Sequence, residues 1–350
     1  MICECKGKAV PLSFNFIFMK NRILSLLFNA TVACSLFAQQ LTFHKQQSFS
    51  KHVPSGNFSG ITSLGQGLYA VVDDKKPDGF YVFQIDFKQK SGKLKSVKNQ
   101  GFMASGLPNR DAEDIVYRSA SNSLFINGES DSEVLEYHTD GKPTGRRLSV
   151  PEMFHHPFPN RGIEALAYDS LNDRLWLTTE CTLPFDEVSG HSNGNVLRLQ
   201  SFSASTLLPL RQYAYRMEPP MAKKSGRIHV MGVSALTALP DGRLLVLERE
   251  CYLPKKKVGA WVRCRLFVIH PESSKSITEQ DLPLDKEVPF VEKLLLGEWR
   301  TRNLRFANYE GMCLGPVLPD GRQVILLISD SQDGYGSLLR DWFKTFVLAG

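Results

Sequence analysis

An ungapped internal repeat is the feature that most constrains the fold of this chain. Residues 108–129 and 159–180 align at a constant offset of 51, with eight identical pairs. A period near 50 residues is typical of propeller blades. The repeat keeps its apolar strand positions, as packing requires, and it also keeps one Arg and two Glu. Packing alone does not require those three charged residues, so they point to a site.

The same unit recurs five times along the chain. It consists of a strand, a tight turn and a second strand that ends in an acidic residue, and two further strand-like runs follow most copies. Four strands per repeat predict an all-β fold, a β-propeller with five four-stranded antiparallel blades, or six if one blade is degenerate. Two stacked β-sandwiches are the alternative. We expect residues 41–49 to close the ring beside residues 342–348.

The fourth unit differs from the third in its charged positions. The two align without a gap at an offset of 70, which places Glu250 against Glu180. Ser234 stands where the third unit has Glu164. The predicted ring of acidic residues is therefore not uniform.

Spacing predicts that the acidic residues of all units gather on one face. In an antiparallel hairpin the start of one strand lies beside the end of the next, and the first strand of each propeller blade lines the central channel. The first-strand acids are Glu113, Glu164 and Glu310, the second-strand acids are Glu129, Glu180 and Asp330, and further acids from the other blades are Asp73, Asp74, Glu248 and Glu250.

So many carboxylates on one face need raised pKa values, Arg partners or bound cations. Arg110, Arg161, Arg249 and Arg305 lie near these acids in the sequence. Ca²⁺ is the cation that an all-oxygen site favours. The plainer interpretation is that each acid caps a turn or forms a salt bridge between blades.

The first 38 residues comprise an N-terminal extension, residues 1–18, and a segment with the pattern of a secretory signal peptide. A basic segment at residues 19–22 precedes an apolar run at residues 23–37 that is too short to span a membrane comfortably. We therefore predict one propeller domain at residues 39–350, secreted or periplasmic. A lipid anchor at Cys34 is the alternative.

Composition and missing motifs exclude several function classes. The formal net charge is +6, and the chain has no Lys/Arg stripe with interleaved aromatic residues, so we expect no nucleic-acid partner. The motifs GxGxxG and HExxH and the Walker loop are also missing. Residues 190–194 read GHSNG and match GxSxG, but the predicted all-β chain offers no strand-to-helix turn for a nucleophile elbow, so serine-hydrolase chemistry of the α/β type is unsupported.

The chain resembles the family described as esterase-like activity of phytase. The resemblance covers residues 55–348 and is carried by the segments at 111–117, 161–170, 243–249, 308–312 and 327–330, which read DAEDIVY, RGIEALAYDS, RLLVLER, NYEGM and LISD. It implies phosphodiesterase- or phytase-like hydrolysis by an exported β-domain protein.

The leading hypothesis is metal-assisted hydrolysis of a phosphoester or other ester by a monomer. Glu113, Glu164, Glu310, Arg110 and Arg161 are the expected catalytic residues, with one of the two arginines holding the phosphate. The expected ligands of Ca²⁺ are Glu129, Glu180, Asp330, Asp73 and Glu248. The alternative is a non-catalytic propeller that binds a carbohydrate, a peptide or an envelope partner and holds a structural Ca²⁺ ion.

Overall fold

Short alternating strands separated by turn residues form five antiparallel sheets of four strands each. The computed structural model describes residues 41–186, 195–255, 259–278, 281, 283–284, 288–334 and 339–349. The predicted signal peptide, including Cys34, lies outside these residues. The five-bladed propeller predicted from the repeat is confirmed, and the six-bladed alternative is wrong.

The strands are numbered in chain order. Blade one contains β2 (Phe58–Gly65), β3 (Leu68–Asp73), β4 (Gly79–Phe87) and β5 (Leu94–Ala104). Blade two contains β6 (Ala112–Arg118), β7 (Ser123–Gly128), β8 (Glu133–His138) and β9 (Pro143–Arg147). Blade three contains β10 (Ile163–Asp169), β11 (Arg174–Thr179), β12 (Val196–Ser203) and β13 (Pro209–Arg216).

The last two blades complete the ring. Blade four contains β14 (Ile228–Ala238), β15 (Leu244–Leu253), β16 (Trp261–Ile269) and β17 (Lys293–Arg302). Blade five contains β18 (Asn308–Val317), β19 (Gln323–Asp330), β20 (Phe343–Leu348) and the N-terminal β1 (Leu41–Phe43). In this blade, β1 pairs antiparallel with β20, so the predicted ring closure is confirmed.

The first strands of the blades form the inner wall. β2 contacts β6, β6 contacts β10, β10 contacts β14, β14 contacts β18, and β18 returns to β2. This closed cycle makes the N-terminal ends of the five first strands neighbours on one face of the ring.

The hydrophobic core is divided into five main layers, each between two adjacent blades. In the layer between blades three and four, Trp176 and Tyr213 pack with Val246 and Phe267. The other four layers follow the same rule around the ring. Because strand side chains alternate between faces, the inner strands are largely buried on both faces, while the outer strands β5, β9 and β17 carry exposed residues.

Helical structure is sparse in the described part of the chain. It consists of four 3₁₀ turns, at Glu152–His155, Pro184–Asp186, Pro271–Ser273 and Asn303–Arg305. Among the described residues there is no apolar helix of the length needed to cross a membrane.

Candidate functional site

A β-bulge recurs near the start of the first strand of every blade. Each first strand forms a ladder pair with the second strand, skips at least one residue, and then resumes pairing. A bulged residue is unpaired and its side chain is re-aimed. These bulge positions hold Ser59, Glu113, Glu164, Ser234 and Glu310; in blade two the bulge also includes Asp114.

A second set of equivalent positions lies at the end of each second strand. Backbone hydrogen bonds of 3.1, 2.8 and 3.1 Å join the amides of Asp74, Glu129 and Glu180 to the carbonyls of residues 57, 111 and 162. Arg249 and Asp330 occupy the matching ladder positions, paired with residues 232 and 308. We call these five residues the rim positions, and the rim and bulge positions together the acidic ring.

In the structure, the second strand of blade four is shifted by one residue relative to the sequence alignment of blades three and four. Ile163 pairs with Thr179, sixteen positions on, whereas Val233 pairs with Glu248, only fifteen positions on. A shift of one residue moves every side chain of a strand to the opposite face. Arg249, and not Glu250, therefore takes the place that Glu180 has in blade three.

Glu248 faces away from the acidic ring for the same reason. Its buried carboxylate accepts hydrogen bonds of 2.8 Å from the Tyr215 hydroxyl and 2.8 Å from the Lys293 ammonium, and Arg265 lies 3.3 Å away. All of these partners belong to the outer strands. Glu248, predicted as a metal ligand, is thus placed in an interior ion-pair cluster and not among the ring carboxylates.

Asp74, and not its neighbour Asp73, occupies the rim of blade one. Asp73 is 3% exposed and accepts a 3.1 Å hydrogen bond from the amide of Lys75. Adjacent residues of a strand face opposite sides, so only one of the two can join the ring.

Arg249 neutralises one side of the acidic ring. Its buried guanidinium donates to Glu180 at 2.6 Å and to Glu310, and it lies 3.9 Å from Glu164. The Asn308 side-chain oxygen accepts a further bond at 2.9 Å. Burial opposes its charge, but the surrounding Glu310 and Glu180 carboxylates raise the pKa of Arg249. On the side of blades three to five, Arg249 therefore supplies the positive charge that a bound cation would otherwise supply.

Arg161 and Arg110 stand at matching repeat positions but have different surroundings. Arg161 reaches the ring, where it pairs with Glu180. Arg110 points into blade two, where it bonds Asp131 at 2.7 Å and the Tyr137 hydroxyl at 2.9 Å. The structure thus brings Arg161 to the acidic ring and holds Arg110 in a buried network outside it.

The opposite side of the ring has no such guanidinium. Oxygens of Asp74, Asp111 and Glu113 lie within 4.8 Å of one another. The Lys75 ammonium is 2.8 Å from Asp74 and 2.9 Å from Asp111. The carboxylate of Glu113 has no hydrogen-bond or ion-pair partner within the described ranges, and Oδ1 of Asp74 is buried without one. We call these three acids the open cluster.

Burial and mutual repulsion raise the pKa of the ring acids. Desolvation raises the pKa of Glu113 well above its ordinary value, and the nearby Glu164 and Glu310 carboxylates raise it further. The pKa values of Glu164 and Glu310 are raised in the same way. Mainly through desolvation, the pKa rises to about 6 in both Asp74 and Asp330. Asp74 and Asp330 therefore exchange protons near pH 6.

Two glycines allow adjacent blades to approach each other at the rim. A Cβ atom at Gly162 would lie 2.9 Å from Cγ of Glu129, and one at Gly232 would clash with Glu180. The amide of Gly162 also donates a 2.8 Å hydrogen bond to Glu129. Because Gly162 and Gly232 have no side chain, the rim carboxylates of Glu129 and Glu180 can lie against them.

One protein family and several solved structures are similar to this chain. The family model "Phytase-like: Esterase-like activity of phytase" matches residues 53–332. No curated protein matches the chain. A similar solved structure is an endo-arabinase from Bacteroides thetaiotaomicron, with a TM-score of 0.48, 11% identity, and coverage of 88% of this chain and 98% of the other. A streptogramin B lyase has a TM-score of 0.35 and 12% identity, with 88% and 98% covered.

Proposed function

Since the chain belongs to the phytase-like family, described as esterase-like activity of phytase, we propose that it is an exported hydrolase of phosphoesters. Its site is the acidic ring, and a divalent cation, Ca²⁺ in the first place, binds at the open cluster. The substrate is a small phosphorylated molecule, a diester or a monoester. Residues 1–38 comprise an N-terminal extension and a signal peptide that is removed on export, and residues 39–350 act as a monomer.

One observation carries this proposal. Seven carboxylates occupy equivalent positions on four of the five blades, and among the described residues only two guanidinium groups, those of Arg249 and Arg161, pair with them. Glu113 is left without a partner although its pKa is strongly raised. Structural acids are normally paired, whereas clustered acids with perturbed pKa values are typical of catalytic and metal-binding sites.

The open cluster fits a hard cation. Three carboxylates from two blades supply only oxygen donors, and a buried oxygen of Asp74 lacks a partner. A bound Ca²⁺ ion would contribute positive charge that polarises a phosphoryl oxygen. Lys75 competes for the same two aspartates, so the cation would displace its ammonium.

The remaining ring residues have roles that follow from their own chemistry. Burial raises the pKa values of Glu164 and Glu310 well above the ordinary value, so each carboxyl group retains its proton more readily and can donate it to a leaving oxygen. Arg161 is partly exposed and can hold phosphate oxygens while it stays beside Glu180. Arg249 is buried and positions the carboxylates of Glu180 and Glu310.

The test compares turnover with and without the cation. The chain from residue 39 is freed of metal with a chelator and assayed on a phosphodiester, a phosphomonoester and a carboxyl ester, with and without Ca²⁺. We expect Ca²⁺-dependent cleavage of a phosphoester that Glu113→Gln and Glu164→Gln abolish. Glu152→Gln, at a residue whose side chain is 82% exposed, is the matched control. Absence of turnover, or turnover unchanged in the ring variants, contradicts the proposal.

The second candidate function is a non-catalytic binding propeller. Its support is that Arg249 already pairs with two ring acids, as a structural role requires. In that case Ca²⁺ raises the melting temperature without turnover of any of the three esters. The same samples therefore separate the two functions.

A further inference from the structure

A basic groove lies between the outer edges of blades four and five. It has a volume of about 610 Å³ and is lined mainly by residues 43–46 and 299–305. A volume of this size suits a small-molecule ligand. Five lining residues are basic and no lining residue is an Asp or a Glu: the five are Lys45, Arg300, Arg302, Arg305 and Lys344.

Several cations of the groove lack a counter-ion, whereas a number of arginines elsewhere in the molecule have one. Within the described ranges, the side chains of Lys45, Arg302 and Arg305 form no ion pair. By contrast, Arg118 and Arg198 each pair with an aspartate, at 2.7 and 2.8 Å. An exposed patch of one charge in a concave surface raises the local concentration of ions of the opposite charge.

Lys344 is the most unusual of these residues. It is only 8% exposed, and its ammonium donates a 2.6 Å hydrogen bond to the carbonyl of His44. Among the residues that the structure describes it has no carboxylate partner, and it lies near the rings of Phe43 and Phe346. Buried lysines are almost always paired with an anion. The counter-charge that Lys344 lacks among these residues is what an anionic ligand would bring.

The groove and the acidic ring lie on the same face of the propeller. Arg249 pairs with Cys264 across the ladder, and Cys264 pairs with Trp299, which lines the groove. Two strand spacings of about 4.8 Å each thus separate the strand of Arg249 from the strand that carries the groove arginines. The groove is a distinct surface, formed by outer strands and by the turn at Asn303–Arg305.

We propose that this groove binds a small soluble anion with two or more phosphate groups. The planar guanidinium groups of Arg302 and Arg305 are suited to bidentate contact with phosphate oxygens, while Lys45 and Lys344 contribute point charges. A dianionic or larger ligand uses several of the cations at once. Binding here is independent of hydrolysis at the acidic ring.

The experiment is calorimetric titration of the metal-free chain with pyrophosphate at constant ionic strength. We expect one saturable site. Arg302→Gln and Arg305→Gln should each weaken binding about tenfold, as loss of one charge-assisted contact predicts. Arg211→Gln, at an exposed arginine of β13, is the matched control and should bind as the parent does. A circular-dichroism melt confirms that the variants are folded.

Three outcomes overturn the proposal. The first is a titration in which pyrophosphate saturates no site. The second is a double variant of Arg302 and Arg305 that binds as tightly as the parent, and the third is an Arg211→Gln variant that weakens binding equally. In a second experiment the chain is mixed with vesicles that contain an anionic phospholipid, and flotation of the vesicles measures how much of the chain they capture. Capture by vesicles without binding of pyrophosphate shows a lipid headgroup site, which also contradicts a soluble ligand. If hydrolysis fails but this titration succeeds, only the proposed function is lost.

Discussion

The two sides of the acidic ring balance their negative charge in different ways. On the side of blades three to five, Arg249 and Arg161 pair with Glu180, and Arg249 also reaches Glu310. On the side of blades one and two, the open cluster has only the exposed Lys75. The repeated blade therefore provides equivalent rim and bulge positions in every copy. We call the side of blades three to five, where arginines pair with the acids, the closed half, and the side of blades one and two the open half.

The difference between the two halves indicates where a ligand should bind. A buried guanidinium held by three acceptors costs too much to displace, so the closed half behaves as a scaffold. An exposed ammonium holds its partners weakly and exchanges with water and ions. A cation or substrate should therefore bind off-centre, beside blades one and two. The following experiments change one half at a time.

Removal of the buried guanidinium should have the largest effect. Arg249→Gln leaves Glu310 without a charge partner and leaves Glu180 with Arg161 alone, and we expect a loss of about 3–5 kcal/mol in the free energy of unfolding. Urea denaturation measures it, with Arg211→Gln as the surface control. A loss below about 1 kcal/mol would show that water or protonation already satisfies these acids.

Addition of Ca²⁺ should stabilise the chain through the open half only. At a concentration one hundred times its dissociation constant, a bound ion adds about 2.7 kcal/mol to stability. We expect Glu113→Gln to remove most of the Ca²⁺-dependent rise in melting temperature and Glu310→Gln to retain it. The reverse order would place the cation in the closed half.

Lower pH should stabilise the metal-free chain. Asp74 and Asp330 have pKa values of about 6 in the folded chain, above the ordinary value of 3.8. A raised pKa means that the folded state binds more protons, so this contribution is complete below about pH 4 and is lost as the pH rises through 6. Melting temperatures between pH 7 and 5 measure the effect. In Asp74→Asn or Asp330→Asn the rise should be smaller, and an unchanged rise would implicate other groups.

Replacement of Lys75 should have the smallest effect. Its side chain is 56% exposed, so Lys75→Gln should change stability by less than about 1 kcal/mol. Because the ammonium competes for Asp74 and Asp111, the variant should bind Ca²⁺ a few times more tightly. Calorimetric titration with Ca²⁺ tests this, and weaker binding would show that Lys75 orders the open cluster.

Much of the fold follows from the sequence because repetition is a global signal. The offset of 51, the hairpin spacing and the acid at each strand end predict five blades, ring closure by the N-terminal segment and acids on a common face. Packing between identical layers leaves little freedom in how such units assemble. These features depend on the repeat period and on the pattern of apolar and polar residues, and every copy of the unit shows both.

Details that depend on one residue of register could not be predicted in this way. The sequence aligns Glu250 with Glu180, and only the ladder shows that Arg249 takes that position. Between Asp73 and Asp74, either could have faced the ring. Arg110 and Arg161 share a motif, but Asp131 captures the first, and the matching position in blade three is Thr182. Side-chain partners from other strands decide such cases, and spacing does not report them.

Closure of the ring by β1 has a consequence for how the chain folds. The side chains of His44 and Thr345 form a 2.8 Å hydrogen bond across a separation of 301 residues. Closing a loop of that length costs about 5 kcal/mol in chain entropy. We therefore expect the pairing of β1 with β20 to be the last step of folding and the step that limits the folding rate. A circular permutant that joins β1 directly to β20 should refold faster, and an unchanged rate would place the slow step elsewhere.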